Sequence, residues 1–159
     1  MNNELSMDQS LAADIVGSLC LLSEQVHRPL ERCTPDISAE DQKKLRKHVT
    51  DVWGEAFFEA MPPIIRQFPD LDPDRPNNRL LVTTNDSVPP SPPGCSRKEF
   101  SVLLSEAAEE AALTLERIAS RVRSSLPPEQ ARDLGRRFNS IGARIKALSR
   151  LSEEWATRC

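Results

Sequence analysis

Apolar residues recur at helical spacing through four stretches of the chain. Leu11, Ile15, Leu19, Leu22 and Val26 step by three or four positions, one face of a helix over about residues 7–27. Pro29 is expected to stop that helix, because the residue before a proline avoids the helical region. After a loop at Thr34-Pro35-Asp36, Ser38 stands as an N-cap with Asp41 three residues on, a weaker partner than Glu or Gln would be. Leu45, Val49, Val52, Trp53, Ala56, Phe57, Ala60 and Met61 then form a second face, which Pro62-Pro63 is expected to end.

The second half of the chain has longer periods. Ser96-Arg97-Lys98-Glu99 is a capping-box pattern and opens a helix to about residue 125. Its apolar set (Phe100, Leu104, Ala107, Ala108, Ala111, Leu115, Ile118, Ala119, Val122, Leu126) follows an eleven-residue repeat, which keeps the stripe nearly straight. Pro127-Pro128 makes a turn into a last helix running to about residue 156. There Leu134, Phe138, Ile141, Ile145, Leu148 and Trp155 keep heptad spacing, interrupted only by Ser152. Gly135, Gly142 and Ser149 recur every seven residues beside this seam. Glycine costs about 1 kcal/mol against alanine inside a helix, so the pattern implies close approach by a neighbouring helix.

Residues 62–95 interrupt this order with nine of the chain's thirteen prolines. They read as a connection, with a short turn at 64–68 and an extended piece at 80–84. So long a connection is uncommon inside a compact domain, and implies either a linker or a strap laid over the helices. The expected fold is therefore all-α: a four-helix bundle of two antiparallel hairpins, residues 1–61 and 96–159, joined by the proline-rich crossover 62–95 into one domain. The last two helices, at about 45 Å, should overhang the first two, at about 30 Å, by the 1.5 Å rise per residue. Their uncovered apolar stripe would then need a partner.

Composition supports helices, since aromatics make up 4% and Tyr is absent. A net charge of −3 argues against a dedicated nucleic-acid domain. The start of the chain has no basic segment followed by an apolar one, and no run approaches a membrane span. The expectation is an intracellular protein, cytoplasmic or nuclear, whose cysteines Cys20, Cys33, Cys95 and Cys159 stay free as thiols. Asn85-Asp86-Ser87 matches a glycosylation sequon that would then be silent.

Little in the chain suggests catalysis. Glycine-rich phosphate loops, nucleophile elbows and zinc-protease motifs are all missing from the sequence. His27 and His48 read as solvated residues, and Cys20 has no positioned base. Cys20, His27 and Cys33 lack the close ligand pairs usual for zinc. No enzyme activity, metal or cofactor is expected.

Charge is distributed unevenly along the last two helices. Glu99, Glu106, Glu109, Glu110 and Glu116 face no base in their own stretch, whereas residues 117–150 hold nine basic residues against Glu129 and Asp133. Arg144, Lys146 and Arg150 are expected to pair with the acidic half of the third helix. Arg117, Arg121, Arg123, Arg132, Arg136 and Arg137 should converge at the hairpin turn, as a site for an acidic partner or nucleic acid. Val88-Pro89-Pro90-Ser91-Pro92-Pro93 is a polyproline stretch, Ser91 and Thr34 are proline-directed phosphorylation candidates, and Arg79-Leu80-Leu81-Val82 is an apolar island.

The functional expectation is a non-catalytic helical adaptor or scaffold, a subunit of a hetero-oligomer. Partner helices would pack on the long C-terminal hairpin through Leu134, Phe138, Ile141, Ile145, Leu148 and Trp155. The alternative is a self-contained regulator that uses the arginine-rich end.

Overall fold

The computed structural model describes residues 4–74 and 92–157. The described residues are mostly helical, with one small two-stranded ladder. Helix α1 spans Gln9–Arg32, β1 Thr34–Asp36, α2 Ala39–Gly54 and α3 Pro62–Gln67; β2 spans Gly94–Ser96, α4 Arg97–Ser125 and α5 Pro128–Thr157. A π-helical segment, Glu55–Ala60, joins α2 to α3, and Pro69–Leu71 forms a single 3-10 turn. The expected extended piece at 80–84, the island at 79–82, the sequon, Ser91 and Cys159 lie outside the described residues.

The caps follow from local chemistry. Asp8 accepts a hydrogen bond from the Leu11 N–H (2.8 Å), Ser38 from Asp41 (3.1 Å) and Ser96 from Glu99 (3.1 Å). Each satisfies an N–H group that the first helical turn leaves without a partner.

Proline acts differently from the sequence expectation in two places. α1 does not stop before Pro29 but carries it, buried, through to Arg32. The extra turn is held by the Cys33 N–H bonding to the Pro29 carbonyl (3.1 Å), and Pro29 itself is buried. Nor does Pro62-Pro63 end the second helical run. The helix widens over Glu55–Ala60, with Met61 N–H reaching the Ala56 carbonyl five residues back (3.0 Å), and α3 starts with both prolines in its first turn. Widening relieves the clash between a proline ring and the carbonyl four residues earlier. It also rotates the face, so Phe57 is half-buried and Phe58 is exposed.

Pro63 lacks the N–H that would serve the Glu59 carbonyl, and the Arg137 guanidinium of α5 donates to that oxygen instead (2.6 Å). Arg137→Ala is therefore expected to cost about 1–2 kcal/mol, as for a lost hydrogen bond from a charged donor. Arg136→Ala, one position along, should be near neutral in a parallel urea titration.

Buried residues of every α-helix join one apolar core. α4 packs against α1 and α5, and α5 packs against α2 and the π-helical segment. Phe100 at the start of α4 lies 6.2 Å from Trp155 near the end of α5, ring centre to ring centre. The ladder is parallel, with Thr34 opposite Gly94, Pro35 opposite Cys95 and Asp36 opposite Ser96. This register brings the Cys33 and Cys95 Cα atoms to 5.9 Å, and the two cysteines form a disulfide across a separation of 62 residues. The expectation of free thiols at these two positions is thereby corrected. Pairing over such a distance leaves no spacing signal in a sequence.

The expected overhang is also corrected. Leu5 N–H donates to the Gln67 side chain of α3 (2.7 Å), and Ser6 N–H donates to Gln130 of α5 (2.7 Å). The segment before α1, held by Gln67 of α3, thus lies against the start of α5 at Gln130. No residue of the α5 apolar heptad is left open.

Candidate functional site

Leu134, Phe138, Ile141, Ile145, Leu148 and Trp155 are each no more than 2% exposed and belong to the chain's own core. Two of them, Phe138 and Ile145, also line a groove of about 670 Å³ along the outer side of α4 and α5. Its walls are small side chains: Ala108, Ala112 and Ala119 on α4, and Gly142 and Ala143 on α5. Glu109, Glu116 and Arg123 line it from α4, Arg123 paired with Glu116 (3.2 Å), and Lys146 lines it from α5. The glycines do not mark a close helix contact. A methyl group on Gly142 would meet Leu115 Cδ2 at an ordinary 3.5 Å, and one on Gly135 would meet nothing within 4 Å.

The arginine cluster is mostly engaged within the chain, contrary to expectation. Arg117 donates both terminal nitrogens to Asp14 of α1 (3.1 and 2.9 Å) and also bonds the Ser18 hydroxyl (2.6 Å); Arg121 pairs with the same carboxylate. Arg123 pairs with Glu116, and Arg137 with Glu59. Only Arg132 and Arg136 remain exposed without such a described ion pair. Arg144 meets Asp51 of α2 (3.4 Å) and Glu55 at the start of the π-helical segment (3.6 Å), whereas Glu110 of α4 meets Arg28 of α1 (3.5 Å). The expected pairing of Arg144 with the acidic half of α4 is thus replaced by pairing across two other helix contacts. A one-dimensional charge pattern names the charges but not the neighbouring helix.

Asp14 is the most strongly held carboxylate among the described residues. The hydrogen bond from Arg117, with help from Arg121, outweighs burial and brings its pKa from 3.8 to about 2. The folded value lies below the unfolded one, so its stabilisation is complete above about pH 4 and is lost as pH falls toward 2. Asp14→Asn should lower stability at pH 7 by about 1–2 kcal/mol, the partners' exposure having been discounted. The same change should flatten the acid limb of the melting temperature plotted from pH 5 to pH 2.

The remaining candidates are explained by position. Cys33 is committed to the disulfide and cannot join Cys20 and His27 as a ligand. Burial, then the charges of Glu24 and Asp74, pushes the Cys20 thiol up to about 11, which keeps it protonated. His27 donates from Nδ1 to the Ser23 carbonyl (2.7 Å). His48 is half-buried rather than solvated, and burial and Lys47 lower its pKa. Thr34 is in β1, its hydroxyl donating to the Pro92 carbonyl (3.2 Å).

Sequence reasoning missed a second groove, of about 730 Å³, between α1 and the α2–π segment. Trp53 and Phe57, expected in the core, form one of its walls, and Leu21 is on the other. The signal for it was the crowding of aromatics at 53, 57 and 58, more than one helix face can bury. No family model matches the chain, and neither a curated protein nor a solved structure matches it. Among the described residues, no helix is long and apolar enough to cross a membrane.

Proposed function

We propose that this protein is a non-catalytic helical adaptor, one subunit of a multiprotein assembly. In this reading α1 with α2, and α4 with α5, are two antiparallel hairpins that share one core as a four-helix bundle. Cross-helix ion pairs at Asp14–Arg117, Arg28–Glu110 and Asp51–Arg144 support that arrangement. A partner helix packs along the outer seam of α4 and α5.

The single observation that carries this reading is the small-residue groove over Phe138 and Ile145. Small side chains let a second helix axis come close. Ala112 and Ala143 are exposed there, so enlarging them should not disturb the fold. The tagged chain and its Ala112→Arg/Ala143→Arg variant are to be purified from the same cells, with melting curves as the control for folding. Stoichiometric helical partners on the first and their absence from the second are expected. Identical partners on both would refute this surface.

The regulator with an anionic ligand is not favoured, because four of its six arginines have partners inside the chain. If Arg132→Glu/Arg136→Glu abolished partner binding while Ala112→Arg/Ala143→Arg did not, that reading would take precedence.

A further inference from the structure

The groove between α1 and α2 has a different chemistry from the α4–α5 seam. Leu21 is 42% exposed and Trp53 37%, large apolar surfaces for positions that line one concavity. Trp53 is fixed in place: it stacks on Phe57 (5.5 Å) and meets Phe58 edge-on (4.9 Å). An aromatic ledge of this kind loses little side-chain entropy when something binds to it. The hydroxyl oxygen of Ser23 is buried in the same wall and has no hydrogen-bond partner among the described residues. The charged side chains lining the groove, Glu24 and Glu31, are both acidic.

The walls also determine the kind of chain that fits. Its two long walls, α1 and the α2–π segment, are helices whose backbone N–H and C=O groups are already bonded internally along their length; Leu71 of the 3-10 turn and Pro73 complete the lining. An extended peptide would find no ladder partners there, whereas a helix brings its own backbone bonds satisfied. The lining runs along α1 from Ala13 to Glu31, about 27 Å at 1.5 Å per residue, or roughly five turns. Aliphatic side chains spaced three and four apart would reach the aromatic ledge. A Lys or Arg beside them would meet Glu31 and the electron-rich face of Trp53.

We infer that the α1–α2 groove docks an amphipathic helix of a partner protein, aliphatic on one face and flanked by Lys or Arg. This contact is separate from the α4–α5 seam and would give the chain two binding faces.

The test is selection of a phage-displayed library of helical 18-residue peptides on the full chain, followed by binding titrations with the enriched peptides. Enriched sequences should carry aliphatic anchors at i, i+3 or i+4 with Lys or Arg alongside. Their affinity should fall at least tenfold on Trp53→Ala and on Leu21→Ser, and by a smaller factor on Glu31→Lys. These positions are exposed, and circular dichroism of each variant checks that the fold is kept. Failure to enrich any peptide overturns the inference, as do binders flanked by acids or binders indifferent to Trp53→Ala. Binding that emerges only after Leu80, Leu81 and Val82 are changed to Ser overturns it too, and assigns the groove to the chain's own segment. None of these readouts involves Ala112 or Ala143, so failure here leaves the α4–α5 reading to its own test.

Discussion

Ile145→Asp should leave the chain unfolded at room temperature. Ile145 is 2% exposed and sits in the middle of the α5 heptad, between Ile141 and Leu148 in a continuous core. A carboxylate there finds no described base in the core. It must either be protonated at a high cost or open the structure to water. The expected loss is about 4–5 kcal/mol or more, comparable with the entire stability of many domains. Far-ultraviolet circular dichroism in a thermal scan reads the effect directly. Ile145→Val, which only trims a methylene, should cost about 1 kcal/mol and serves as the control. A mutant aspartate protein that melts near the parent would mean that the seam is wet, and that the described core is wrong there.

Loss of the Cys33–Cys95 bond should have an effect of similar size. The link closes a loop across 62 residues and includes the proline-rich connection. Chain-entropy reasoning gives about 4 kcal/mol for a loop of this length. The double variant Cys33→Ser/Cys95→Ser, or the native chain under dithiothreitol, should melt well below the oxidised protein. Free Cys20 is outside the pair and should be irrelevant: Cys20→Ser should leave the difference intact. Equal melting temperatures with and without reductant would show that the parallel ladder and the core hold the crossover without the bond. Because such bonds persist in oxidising surroundings, the free-thiol argument for a reducing compartment does not carry over to these two residues.

How much was legible depended on whether the cause was local. The Ser38 and Ser96 caps were readable because a cap is a contact between residues three apart. The faces of α1, α4 and α5 were readable because burial follows the helical period: of the ten positions expected on α4 and its C-cap, only Ala119 is not buried. The two proline sites were misread for the opposite reason. A proline inside a helix is unfavourable locally, but the burial of Pro29, and a donor supplied by Arg137 below Pro63, offset that cost through tertiary contacts. The arginine site was misread similarly, since Asp14 is 103 residues from the Arg117 it holds.

Spacing and caps were enough to read that the chain is helical, where most of the helices lie and which side chains they bury. Which charges meet, which cysteines join, how the prolines are accommodated and where apolar surface is left open came from the packing of one helix on another. Those depend on which helix lies beside which, and no local spacing encodes that choice.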